Sequence, residues 1–287
     1  MINNCPICLS ESLSHYGDDA WLIDDTSYTL RQCSSCGSAF TDPIPDDAAL
    51  TKLYKTSFDY RWYKDHILAK NKDARIRYNE YKSYLGNEVL DYGGGLGYFS
   101  KVCRAHGHQS LTYDPLSMVD ISSRKWDTIV ALHVLEHINE LNRVISSFKT
   151  MLKKGGKLII AVPNFNGDGY KTQGMQWVWA QPPLVHIYHF TALGLTDLLS
   201  RHGFIDLEVS YHERWDANLF CDVINADRFR ARDARWGSKR YNSSASYRKV
   251  IAITNSINRF FLLRKSLDNI NNVGIRRAEL QIVATAP

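Results

Sequence analysis

Residues 89–100, "VLDYGGGLGYFS", constrain this chain more than any other stretch. Val89 and Leu90 read as the end of a buried strand, Gly93, Gly95 and Gly97 follow at every second position, and "YFSKVCRAHG" reads as a helix stopped by Gly107. A strand, a glycine turn and a helix in immediate succession build an α/β unit whose turn approaches a ligand with its backbone. A phosphate-cradling P-loop would need Lys-Ser or Lys-Thr after the glycines, and neither is there. A dinucleotide fingerprint counted from Gly93 and Gly95 meets Tyr98 where its third glycine belongs. Asp91, just ahead of the glycines, would repel a pyrophosphate and attract a ligand carrying an amino group and a sulfonium.

The pattern Asp91-x-Gly93-x-Gly95-x-Gly97 resembles the first motif of class I S-adenosylmethionine (SAM)-dependent methyltransferases. The resemblance implies a Rossmann-like, seven-stranded α/β sheet and SAM as cofactor, and it covers roughly residues 86–211 and the last ten. Strands and helices alternate from Glu88 onward: "EVLDYG" is read as the first strand and "SLTYD" as the second. Asp114 ends that second strand nineteen residues after Gly95, where a carboxylate takes two ribose hydroxyls. "WDTIVALHVLEHI" reads as a fourth strand running into a helix start, "KLIIAVPN" as the fifth strand, "FIDLEVSY" as the sixth and "AELQIVATAP" as the seventh. Only twelve residues separate Asp114 from Asp127, so the third strand is expected to be shortened, with Asp120 and Ile121 as candidates for the adenine contacts it would otherwise make.

Ahead of this core stand Cys5, Cys8, Cys33 and Cys36, two C-x-x-C pairs twenty-four residues apart. That spacing matches a four-thiolate zinc ribbon over residues 1–42. A lobe of about forty residues buries too little surface to fold alone, and a structural zinc ion adds folding energy on the order of 10 kcal/mol. With four thiolates the coordination is complete, which excludes Lewis-acid chemistry at that ion. Residues 43–85 read as a helical linker. The four-cysteine lobe joined to this core resembles methyltransferases of sugar and natural-product pathways, which implies a small or carrier-linked acceptor.

Methyl transfer to oxygen, nitrogen or carbon acids needs a proton acceptor, and ligands of open α/β sheets lie outside the carboxyl ends of the strands. His133 ends the fourth strand, and Glu136 and His137 begin the next element. The loop after the fifth strand, "WVWAQPPLVHIYHF", offers Trp177, Trp179, His186, Tyr188 and His189 to an acceptor. His133, His137 and His186 are the candidate catalytic residues. In an alternative arrangement His133, Glu136 and His137 jointly ligate a divalent ion, and His137 could equally cap its helix start.

The chain carries a formal net charge of +5 over 287 residues, unevenly spread. Fourteen Lys or Arg stand against seven Asp or Glu from His212 onward, and the rest is slightly acidic. Residues 212–277 are expected to form a basic helical insertion before a last core strand at 278–287. Arg230, Arg232 and Arg235 would there grip a phosphate on a nucleotide-linked or carrier-linked acceptor, or rest on an anionic membrane surface. A solvated helical face is the competing reading. Two other classes compete with a small-molecule methyltransferase. One is an RNA methyltransferase, which the basic arm suits but the acidic residues 1–50 do not. The other is a scaffold that binds SAM and zinc without turnover. No apolar run reaches bilayer-spanning length and "MINNCPIC" lacks the features of a secretory leader, so the cytoplasm is the expected location.

Overall fold

The structure, a computed structural model, describes residues 2–23, 25–57, 67–114, 120–176, 180, 183–212 and 278–287. Three antiparallel strands, β1 (Leu13–Ile23), β2 (Thr26–Cys33) and β3 (Ala39–Asp42), form the amino-terminal sheet. Two helices follow, α1 (Asp47–Ser57) and α2 (Ile67–Tyr81). The remaining elements are β4 (Glu88–Tyr92), α3 (Tyr98–Ala105), β5 (Gln109–Tyr113), β6 (Trp126–Leu132), α4 (Leu141–Met151), β7 (Leu152–Pro163), α5 (Asp168–Gln173), β8 (Tyr188–His189), α6 (Ala192–Arg201), β9 (Ile205–His212) and β10 (Glu279–Thr285). A 3-10 turn, Leu135–His137, connects β6 to α4, and a second, Gly174–Gln176, follows α5.

The main sheet has six strands among the described residues, in the order β5-β4-β6-β7-β10-β9. β5, β4, β6 and β7 run parallel, and β10 enters antiparallel between β7 and β9. Parallel strands covered on both faces read as continuous apolar runs, as β6 and β7 do: Ile129, Val130, Leu158, Ile159 and Ile160 are all fully buried. β10 is buried along its whole length, whereas Ile205 and Val209 of the edge strand β9 are exposed. Seven strands were expected. Among the described residues, 120–125 form a turn, in which Asp120 Oδ1 accepts hydrogen bonds from Ser122 N at 2.9 Å and Ser122 Oγ at 2.7 Å. An Asx turn of this kind competes with strand pairing for the same backbone groups.

The four-cysteine segment does not stand apart from the core. Cys5, Ile7, Cys33, Cys36 and Phe40 belong to the same apolar cluster as Leu90, Ile129 and Leu158. β8 adds to the amino-terminal sheet, pairing Ala39 with His189 and Phe40 with Tyr188. A second seam runs through α6: Thr191 Oγ1 donates to Cys36 O at 2.6 Å, and Gly194 N donates to Thr191 Oγ1 at 3.0 Å. Gly194 sits inside that seam, where a Cβ would come 2.2 Å from Ser38 Oγ and 3.3 Å from Cys36 Sγ. Ser38 Oγ cannot swing aside freely, since it accepts from Thr191 N at 3.0 Å in a fully buried position. Gly194→Ala is therefore expected to destabilise the protein by about 1–3 kcal/mol, the cost of overpacking, despite its better helix propensity. An unchanged denaturation midpoint would show that the seam yields.

Candidate active site

β4 ends on Asp91 and Tyr92, and the chain turns sharply because Gly93, Gly95 and Gly97 adopt positive φ of 72, 54 and 71°. The three glycines are needed for different reasons. A Cβ at Gly93 would lie 2.5 Å from Val134 Cγ2, and one at Gly97 2.6 Å from Thr112 Oγ1, so both close the turn against its neighbours. At Gly95 nothing lies within 4 Å of the Cβ position among the described residues. That side of the loop is open to a ligand.

The loop is tied to β5 by Gly93 N, which donates to Tyr113 O at 2.7 Å, and this brings Asp114 alongside it. Asp91 is 2% exposed, and its Oδ2 accepts from Ser100 N and Ser100 Oγ, both at 3.2 Å. Burial pushes the Asp91 carboxyl up to about 6, against the lowering effect of the Ser100 hydrogen bonds. Asp91 thus braces the first turn of α3 from within, a role the sequence did not suggest for it. Asp120 lies exposed and committed to Ser122, while its neighbour Ile121 is packed in the core. Ser122 holds the Asp120 carboxyl below its ordinary range.

At the end of β6, His133 takes a left-handed backbone conformation with φ 55°. Its Nε2 lies 2.8 Å from Glu279 Oε2 and its Nδ1 lies 3.3 Å from Glu136 Oε1. Arg77, from α2, pairs with Glu279 at 2.8 Å and comes within 3.3 Å of His133 Nε2. Burial works against the charged imidazole, but Glu136 and Glu279 outweigh it and raise its pKa to about 9. The two carboxylates against its ring nitrogens favour the imidazolium of His133, a form that does not take up a proton. The same contacts correct the metal arrangement that included it, because both ring nitrogens face carboxylates.

His137 differs. Its Nδ1 meets Val185 O at 2.6 Å; a carbonyl only accepts, so Nδ1 carries a hydrogen and the neutral ring has its lone pair on Nε2. Ile187 N donates to Glu136 O at 2.6 Å, which draws the 183–187 segment onto the 3-10 turn and stacks the His186 ring edgewise on His137, with centroids 4.7 Å apart. His186 is buried, and Thr41 of β3 closes over this segment, its Oγ1 donating to Pro183 O at 3.2 Å. His189 is fully buried in the amino-terminal sheet, hydrogen-bonded through Nδ1 to Tyr170 Oη at 2.5 Å, with its ring edge-on to His186 at 6.3 Å between centroids. Burial lowers its pKa to about 3.

Arg77 and Glu279 are the site residues that motif reading missed, whereas Glu136 was already among its candidates. The signal for Glu279 was present, since Glu279 and Gln281 alternate with apolar residues in a strand buried on both faces. Trp177, Trp179 and the basic insertion with Arg230, Arg232 and Arg235 lie outside the described residues.

A family model described as "Methyltransferase domain" matches residues 63–209, more than half of the chain. This chain belongs to that family. It is an enzyme of the methyltransferase class. No curated protein sequence matches it. Among solved structures, a SAM-dependent methyltransferase from Archaeoglobus fulgidus shares 17% identity and a TM-score of 0.50, over 79% of this chain and 100% of that one. A SAM-dependent methyltransferase from Thermotoga maritima shares 12% identity at TM-score 0.47, covering 83% of this chain and 100% of that one. A Haemonchus contortus phosphoethanolamine N-methyltransferase, in complex with phosphomonomethylethanolamine and S-adenosylhomocysteine, shares 14% identity at TM-score 0.49, over 87% and 63% of the two chains. Among the described residues of the methyltransferase, no helix is long and apolar enough to cross a membrane.

The four thiols of the amino-terminal segment converge. Cys5 and Cys36 Sγ are 3.9 Å apart, Cys8 and Cys33 Sγ 3.5 Å, and all four sulfurs lie within 4.8 Å of one another. Metal–sulfur bonds of about 2.3 Å in a tetrahedron place sulfurs about 3.8 Å apart. The donor set therefore suits a tetrahedral metal ion, and no pair among these cysteines is joined as a disulfide.

Proposed function

We propose that this methyltransferase moves a methyl group from SAM to a small or carrier-linked acceptor, with His137 as the proton acceptor and a structural zinc ion on Cys5, Cys8, Cys33 and Cys36. The observation that carries the cofactor site is Gly95, open on its Cβ side between two glycines that are closed. Gly93, Gly95 and Gly97 would let the donor's backbone contacts form, Asp91 would hold the loop, and Asp114 would take the ribose hydroxyls. SAM bound there supplies an electrophilic methyl group and a thioether leaving group.

The chain's own groups align the acceptor and remove its proton. Val134 packs against Gly93, so the turn that carries His137 adjoins the glycine loop. The acceptor's proton would pass to His137 Nε2 as its bond to the methyl carbon forms, and Val185 O, holding Nδ1–H, would stabilise the resulting imidazolium. His186 would line the acceptor side, and the cation of His133 would stay fixed between its carboxylates.

His137→Ala is expected to lower kcat by about 10²-fold or more while leaving the SAM dissociation constant unchanged. A normal rate would mean that the acceptor needs no protein base there. The acceptor class is tested by incubating labelled SAM and the enzyme with a cell extract and separating RNA, lipid and small-molecule fractions. Label in the small-molecule or carrier-linked fraction is expected, and label confined to RNA would overturn this reading of the acceptor.

A further inference from the structure

Glu136 has an environment that the proton-transfer reading does not explain. Its carboxylate is fully buried, yet neither oxygen accepts a hydrogen bond. Its ion pair with His133 Nδ1 is long, at 3.3 Å, and that imidazolium is shared with Glu279 at the shorter distance of 2.8 Å. A buried carboxylate so poorly compensated costs several kcal/mol unless a further cation meets it. The groups around it offer that opportunity, because one ligand atom each from Glu136, His137 and His186 lies within 4.8 Å of the other two.

The geometry points to a binding site for a divalent transition-metal ion on Glu136, His137 and His186. Two imidazoles and one carboxylate suit Zn²⁺, Co²⁺ or Fe²⁺ better than Mg²⁺, which takes oxygen ligands almost throughout. Bonds of about 2.1 Å bring ligand atoms about 3.0–3.4 Å apart, so the triad closes with side-chain movements on the order of 1 Å. The backbone already supports it. His137 Nδ1–H donated to Val185 O leaves Nε2 as the ligating nitrogen, the carbonyl-to-histidine support commonly seen behind metal ligands. Ile187 N bonded to Glu136 O holds the His186 segment in register with the turn. Three protein ligands leave at least one coordination position open, which an oxygen or nitrogen atom of the acceptor can fill. The inference rests on the reading of this pocket as the acceptor site, and it replaces a free imidazole there with a metal-held one.

The test uses the full chain with zinc already in its cysteine cluster, titrated with Co²⁺ and followed by visible absorption. One further equivalent of Co²⁺ is expected, with weak d–d bands and without the thiolate-to-cobalt charge-transfer bands that cysteine ligation would produce. Glu136→Gln and His186→Ala should each weaken this uptake by about tenfold or more, with zinc content and SAM binding retained. No second equivalent in the wild type, charge-transfer bands that place cobalt on the cysteines, or undiminished uptake in folded variants would each overturn the site. Should the variants fail to fold, the wild-type spectrum alone decides between the first two results and the site. Methyl transfer does not enter the readout, so an empty site leaves His137 standing as a free base. A loaded site combined with normal turnover in His137→Ala would instead overturn the acceptor reading.

Discussion

Cys33→Ser is expected to abolish zinc binding at the proposed four-thiolate site of this methyltransferase and to cost most of its soluble fold. A structural four-thiolate site contributes on the order of 10 kcal/mol of folding energy, comparable to the whole stability of an ordinary domain. Here the loss would not be confined to the amino-terminal sheet. Cys33 and Cys36 pack in the same apolar cluster as Leu90 and Ile129, and Thr191 at the start of α6 is hydrogen-bonded to Cys36 O. β3 pairs with β8, two residues beyond His186, so the sheet that a metal would organise also adjoins the proposed acceptor site. Elemental analysis of wild type should show zinc on the four cysteines, and the variant should lack it and elute as aggregate in size-exclusion chromatography. Wild type stripped of metal that keeps its melting temperature would refute the structural role.

The second large effect is expected at Gly95. Gly95→Asp should weaken SAM binding by 100-fold or more, about 2.7 kcal/mol, and leave the melting temperature nearly unchanged. The two halves of this outcome follow from one observation, since the Cβ position has open space around it among the described residues while φ is 54°, a conformation Asp tolerates better than most residues. The carboxylate would then occupy the room that the cofactor needs. Gly93→Ala should behave in the opposite way, because its methyl group would press on Val134 at 2.5 Å and strain a φ of 72°. It should lower the melting temperature before it reports on affinity. Calorimetry with SAM and thermal denaturation of both variants check the pair; normal SAM affinity in Gly95→Asp would place the cofactor elsewhere.

The sequence by itself determined the local units: a strand, three glycines and a helix at 88–105, the parallel strands that follow, and two C-x-x-C turns. These were legible because backbone preference and burial pattern are written within a few residues of one another, at periods that a strand or helix must obey. The α/β sheet could be read from them. The turn at Asp120–Ser122 could not, because a side chain that bonds its own backbone leaves no mark in the apolar pattern.

Only the tertiary structure decided which distant residues share a site. Arg77 and Glu279 are 202 positions apart and meet because β10 inserts between β7 and β9, a choice that no motif in "AELQIVATAP" expresses. His133 and His137 look equivalent in "HVLEHI", four residues apart. The left-handed turn at His133 points one ring at two carboxylates, which favour its cation, while the 3-10 turn gives the other a carbonyl that takes its Nδ1–H. A side chain's charge state depends on what long-range packing places within a few ångströms of it, and one-dimensional spacing carries no record of that distance.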